Sequence, residues 1–250
     1  MIRNNKLFDS KERPARSSVY SFERFSTFDG NLVAYNAANA VANAPSKSYN
    51  PLYLYGGHGS GKTHLLKAIE GAISEKHPEM YVRYVTSEEF CNDVLGAIRC
   101  GFISEIRDIY RTPDVLIIDD FQFLIGKELT LDEMSHTLDT LIRNGSQVVI
   151  SADQPPKKLD VGEHMRAVLG RGLVVELKAP STSVKNNLVR VKAEEKGVLL
   201  QDDVVDYISS NIGDNIGMIE GAIASIVAYS ELSRPVINLD AAKTVLADIL

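Results

Sequence analysis

Between Tyr55 and Leu65 stand Gly56, Gly57, His58, Gly59, Ser60, Gly61, Lys62, Thr63 and His64, a run that fits G-x-x-x-x-G-K-[ST] with Gly56, Gly61, Lys62 and Thr63 at the fixed positions. Glycines at this density let a backbone adopt positive φ and bring its N–H groups close to an anion. A helix opening just after them directs its positive end at the same point. The pattern predicts a cradle for a chain of phosphates. Lys62 would reach the β- and γ-phosphates as a compact cation, and the Thr63 hydroxyl would take one place in a Mg²⁺ shell filled mainly by phosphate oxygens and water. All nine residues from 56 to 64 are candidates for cofactor binding.

A second site of chemistry is Asp119-Asp120, directly after Val115-Leu116-Ile117-Ile118. A continuous apolar run suits a strand buried on both faces of a parallel sheet, and carboxylates at its carboxyl end lie in the crevice where such sheets bind ligands. In this Walker B-type reading Asp119 holds the Mg²⁺ shell, usually through water, and Asp120 polarises an attacking water. Two aspartates after a strand also serve as a helix cap or a turn. Their pairing with the phosphate loop favours the chemical reading. Further on, Ser151 and Asp153 close another apolar strand, where a polar group would contact the γ-phosphate or the attacking water, and Asp153 joins Asp120 as a catalytic candidate.

These residues need a scaffold. Strands are predicted at 51–55, 81–85, 115–120, 147–153 and 173–177, with helices at about 32–42, 62–76, 87–98, 102–110 and 130–143. Ser87, with Glu88 and Glu89, marks one helix start, and Thr130 is read as the cap of another. The alternation from 51 to 177 predicts an α/β fold with a five-stranded, mostly parallel sheet between helical layers. Past Ala179-Pro180-Ser181 the pattern becomes helical only, at about 182–196, 202–211, 215–232 and 239–249. Thr182 or Ser183 is expected to cap the first of these, and Asp214 or Asn215 to begin the third. The expected organisation is an N-terminal arm over residues 1–19 carrying Lys6, Lys11, Arg13 and Arg16, a nucleotide-binding domain over 20–178, and a small all-helical lid over 179–250.

Composition excludes several classes. Of the 250 residues 44% are hydrophobic, so a sizeable core is available. The net charge is −6, with an isoelectric point near 5.4, so any nucleic acid would have to be met by a local basic face. Cys91 and Cys100 stand apart from any histidine cluster and read as small buried hydrophobes of a reducing compartment. The apolar runs are far short of a membrane span, and Met1-Ile2-Arg3-Asn4-Asn5 lacks the apolar core of a signal peptide. A cytoplasmic location without membrane contact is expected.

Several strings together resemble one family. They are Tyr49-Asn50-Pro51-Leu52-Tyr53-Leu54-Tyr55-Gly56-Gly57, Gly61-Lys62-Thr63-His64-Leu65-Leu66, Leu116-Ile117-Ile118-Asp119-Asp120-Phe121-Gln122-Phe123, Gly126-Lys127-Glu128 and Ile219-Glu220-Gly221-Ala222. From about Tyr20 to Leu250 the chain is similar to the nucleotide-binding part of the DnaA family of bacterial replication initiators, of the AAA+ class. The resemblance implies an AAA+ P-loop αβα sandwich followed by the helical lid. ATP or ADP with Mg²⁺ would lie between the two, with adenine near Phe25 to Asn31. It further implies head-to-tail self-assembly, each neighbour inserting an arginine at the next ATP, and contact of the assembly with single-stranded origin DNA, here through Lys127.

The chain departs from the family pattern at four positions. A gapless match sets Val168 where the finger arginine falls, with Arg166 and Arg171 nearby. Gly217 stands where a lid arginine would contact the γ-phosphate, and Leu129 and Leu95 occupy two strand-gripping positions. With both γ-phosphate arginines missing by alignment, ATP binding with slow hydrolysis is expected, since a trans arginine contributes ~10³ to 10⁵ in rate in related phosphoryl transfer. The resemblance covers neither the family's N-terminal partner-binding domain nor its duplex-reading helix-turn-helix. Alternatives are a regulator that binds the initiator, similar to Hda, and a nucleotide-locked scaffold.

Overall fold

The computed structural model describes residues 20–213, 215–233 and 237–249; the expected arm at 1–19 lies outside them. Five strands, β1 (Leu52–Tyr55), β2 (Val82–Thr86), β3 (Val115–Asp119), β4 (Gln147–Ala152) and β5 (Leu173–Glu176), form one sheet in the order β2-β3-β4-β1-β5. Every neighbouring pair is parallel. β3 and β4 are buried along their whole length, which explains the apolar runs at 115–118 and 148–150 within them.

Alternation along the strands sorts side chains onto two faces. Leu52, Leu54, Val115, Ile117 and Val149 face α1 (Leu32–Asn43) and α2 (Lys62–Lys76), where Leu65, Leu66 and Ile69 are buried with them. Tyr53, Leu116, Ile118, Val148 and Ile150 face the layer of α3 (Ser87–Cys100), α4 (Ile103–Arg111), α5 (Glu128–Arg143) and α6 (Glu163–Leu169). Burying an aliphatic side chain of this size contributes about 1.5–3 kcal/mol, so the two clusters hold the sheet rigidly between its helical layers. The last four helices, α7 (Thr182–Glu195), α8 (Asp202–Asn211), α9 (Gly217–Ser233) and α10 (Leu239–Leu246), enclose an apolar cluster of their own around Val189, Val204, Ile208, Ala222 and Leu246. The chain therefore has the expected αβα sandwich with a five-stranded parallel sheet, followed by an all-helical unit.

Several helix starts fall beside the predicted residue. α3 is capped by Thr86 in a reciprocal box with Glu89, and Ser87 is buried inside the helix. α5 begins at Glu128, so Thr130 is a buried first-turn residue whose hydroxyl lies near the Cys91 sulfur, and it caps nothing. Ser181, one residue before the expected pair, caps α7 by accepting from the Val184 N–H. Asp214 lies outside the described residues, and α9 begins at Gly217. Cys91 is buried as expected; Cys100, at the last position of α3, is exposed.

Between α4 and α5, Glu133 accepts from Arg107 at 2.9 and 3.0 Å and also from Arg111. Burial raises the Glu133 pKa, but the two guanidiniums outweigh it and hold the carboxyl below its usual value. This pair of helices packs on the face of the sheet opposite α2.

Candidate nucleotide-binding site

β1 ends at Tyr55 and the chain turns through Gly56 to Gly61 into α2. Only Gly59 (φ 73°) and Gly61 (φ 97°) have positive φ within the loop. Gly56 is required for a different reason, since a Cβ there would lie 2.4 Å from the Leu177 carbonyl oxygen; Gly57 has free space around it. A Cβ on Gly61 would lie 2.8 Å from the Phe25 ring. Ser60 is buried, and its hydroxyl has no hydrogen-bond partner. A buried unpaired hydroxyl beside exposed His58 and the open start of a helix fits a site that receives an oxyanion.

Lys62 is folded back onto this loop. Its Nζ donates to the carbonyls of Gly56 at 2.8 Å and Gly57 at 2.9 Å. Burial lowers its pKa, against the opposing fields of Asp120, Asp119 and Asp153, so three predicted carboxylates converge on the predicted lysine. Asp153 is exposed beyond the end of β4, while Asp119 is 2% exposed.

The Asp119 carboxylate is the most heavily bonded group of the site. Strand alternation turns it toward α2, and Thr63 donates to its Oδ2 at 2.8 Å. Tyr84 donates to the same oxygen at 2.7 Å. Ser151 donates to Oδ1, which the Asp120 N–H also meets at 3.1 Å. Burial, with the Asp119 carboxylate next in order, pushes the Tyr84 phenol pKa well up and keeps it a donor. Asp120 has a left-handed backbone (φ 58°), and Gln122 donates to its side chain at 2.9 Å. A threonine hydroxyl that points its proton at a carboxylate oxygen keeps its lone pairs for a cation, and this all-oxygen pair suits Mg²⁺. Among the described residues no three His, Cys, Asp or Glu side chains gather to hold a metal, so Mg²⁺ here would need phosphate oxygens as well.

His64 is turned away from the cradle: its Nε2–H donates to the Ser21 carbonyl at 2.8 Å, and its ring meets Tyr20 and Phe25 edge-on. Contact with a phosphate falls to its backbone. Asn31, fully buried, shapes the 25–31 segment by accepting from the Phe28 N–H and donating to the Ser26 carbonyl. Across the loop, Asn215 lies against Gly59.

Lys127 is exposed at the start of α5. With Leu95 and Leu129 it lines a shallow depression of about 340 Å³, so the three compared positions do share one surface. Val168 is 5% exposed and packs in the core, whereas Arg166 and Arg171 are exposed and Arg166 Nε donates to the Val161 carbonyl at 2.9 Å.

The sequence alone does not mark Tyr84, Gln122 or Asn215 as site residues. The period of two in β2 and β3 is the signal that Tyr84 and Asp119 share a face; nothing local marks Asn215.

A profile of the family described as the bacterial DnaA ATPase domain matches residues 17–176, more than half of the chain. The chromosomal replication initiator protein DnaA of Chloroflexus aggregans is 43% identical over 232 residues, which are 92% of this chain and 48% of that protein. The chain thus spans about half the length of such relatives. The crystal structure of domain III of the Thermotoga maritima replication initiation protein DnaA superposes with a TM-score of 0.82 at 37% identity, covering 92% of this chain and 96% of that one. A replication initiator DnaA bound to AMPPCP and single-stranded DNA superposes with a TM-score of 0.77 at 30% identity, covering 86% and 68%.

Proposed function

Because the chain belongs to the bacterial DnaA ATPase-domain family, we propose that it binds ATP or ADP with Mg²⁺ and acts in the initiation of bacterial chromosome replication. The observation that carries this reading is the hydrogen bond from Thr63 to Asp119, which joins the end of the phosphate loop to the acidic end of β3. Residues 56 to 64 hold the phosphates. Lys62 exchanges its two loop carbonyls for phosphate oxygens, and Ser60 gains the partner that it lacks. Bound Mg²⁺ would neutralise charge on the phosphates. Thr63 and Asp119 would hold the metal, Asp120 would polarise the attacking water, and Asp153 would meet the γ-phosphate or that water.

Within this reading residues 20–178 form the nucleotide-binding unit and 179–250 the lid. Hydrolysis is slow. Val168 and Gly217 stand where the resemblance puts the two arginines that would stabilise charge on the γ-phosphate, so the exposed Arg166 or Arg171 would have to replace the first. The chain assembles head to tail in the cytoplasm and contacts single-stranded DNA at Lys127; AMPPCP and single-stranded DNA in the DnaA complex described above support both ligands. Among the described residues no helix is long and apolar enough to cross a membrane. The initiator reading is favoured over that of a regulator by the similarity to initiator domain III along nearly the whole chain.

Calorimetric titration with ATP, with and without Mg²⁺, tests the proposal. Saturable one-site uptake that tightens with Mg²⁺ is expected. Absence of uptake by folded protein would overturn it.

A further inference from the structure

We propose that Tyr84 is a positioning residue for Asp119, and that its phenol sets how strongly Mg²⁺ and nucleotide reinforce each other's binding. The inference rests on the reading of Thr63 and Asp119 as the metal's partners.

The argument begins with register. In the parallel ladder Tyr84 pairs with Ile117 and Thr86 with Asp119. Tyr84 and Asp119 therefore point to the same face of the sheet, one step apart along neighbouring strands. The phenol reaches across that step to Asp119 Oδ2 at 2.7 Å. Thr63 reaches the same oxygen from α2 at 2.8 Å. The other oxygen is held from the opposite side, by Ser151 of β4 and the Asp120 N–H. The carboxylate plane is thus fixed by donors on two flanking strands, and Tyr84 is the donor on the β2 side.

The Tyr84 ring is fixed in turn. Lys67, one turn beyond Thr63 in α2, places its Nζ 3.2 Å from the ring centroid and also pairs with Glu70 at 3.1 Å. The phenol cannot follow the carboxylate if the carboxylate rotates. Without the phenol, Asp119 Oδ2 keeps only the Thr63 hydroxyl, which has its own task toward the cation. Ser151 and the Asp120 N–H still hold Oδ1, but Oδ2, the oxygen beside Thr63, is then set less firmly toward the metal. Groups that orient metal-binding side chains in this way typically alter metal affinity ~10- to 100-fold.

Phe in place of Tyr84 keeps the ring and removes one oxygen. The measurement is the ratio of nucleotide dissociation constants without and with Mg²⁺, taken by calorimetry on the whole chain. For Tyr84→Phe the metal-free constant is expected to stay native while the ratio falls about tenfold. Tyr110→Phe is the comparison for buried phenols: Tyr110 donates to Asp93 at 2.6 Å, away from Asp119, and its loss should lower the melting temperature and leave the ratio native. Thr63→Ala removes the metal's direct partner and should collapse the ratio.

A native ratio in Tyr84→Phe would overturn the inference. So would an equal fall in Tyr84→Phe and Tyr110→Phe, or failure of Tyr84→Phe to fold, because the phenol would then be structural. If Thr63→Ala itself kept a native ratio, the reading of the metal site would fail first.

Discussion

The Gly59 backbone lies so close to Asn215 that a methyl group at Gly59 would stand 2.6 Å from the Asn215 Cα. The phosphate loop and the helical lid therefore touch at a point where only hydrogen fits. The loop and the segment that opens α9 are in contact there.

Gly59→Ala meets both this contact and a φ of 73°. Left-handed backbone costs a residue with a Cβ about 1–2 kcal/mol before the clash is counted. We expect a lower melting temperature and nucleotide affinity reduced by about tenfold or more. Gly57→Ala, in open space, should be near native by the same thermal and calorimetric measurements.

Lys62→Ala removes an ammonium that burial already disfavours. Two carbonyls lose their donor, and a phosphate loses a charge-assisted bond of about 1.5–3 kcal/mol. Nucleotide binding should fall below detection in an equilibrium titration, while circular dichroism shows a folded chain.

Glu133 gives the pH dependence. Burial is outweighed by Arg107 and Arg111, so its folded pKa lies below the ordinary 4.5. A depressed carboxyl contributes stability that is fully present above its unfolded pKa and is lost as pH falls through the folded one. Glu133→Gln should therefore destabilise the protein by about 1–3 kcal/mol at neutral pH, judged from hydrogen bonds to charged groups. The gap should narrow below pH 4.5, as read by urea melts across that range.

Lys127→Ala should weaken single-stranded DNA binding and leave ATP affinity unchanged, since Lys127 sits on the depression with Leu95 and Leu129. The slope of log affinity against log salt should become shallower by about 0.7 for one lost phosphate contact. Unchanged DNA affinity in a filter-binding or anisotropy assay would remove Lys127 from the strand-binding surface.

The five-stranded parallel sheet, the alternation of strands and helices along the chain, and the meeting of the phosphate loop with Asp119 are legible in the sequence because each rests on a local pattern. Gly56, Gly61, Lys62 and Thr63 carry their spacing in one loop, and the apolar runs before Asp119 and Asp153 announce strands buried on both faces. What escaped depends on register or on packing between distant segments. Tyr84 reads as an ordinary strand aromatic by itself, and only the register of β2 against β3 brings it to Asp119. Thr130 looked like a cap because hydroxyls often are, but the turn at Gly126 (φ 78°) lets α5 start two residues earlier and buries it. Val168 stands at an arginine position of the family by alignment, and only the structure shows it buried in the core.

The Phe25 ring, lying against Gly61 and edge-on to His64, sits over the turn that opens α2. The chain contains no tryptophan, so Phe25→Trp would make that ring the single indole of the molecule. Its emission would then be an optical gauge of the loop beneath it, responding when the cradle fills and relaxing when it empties.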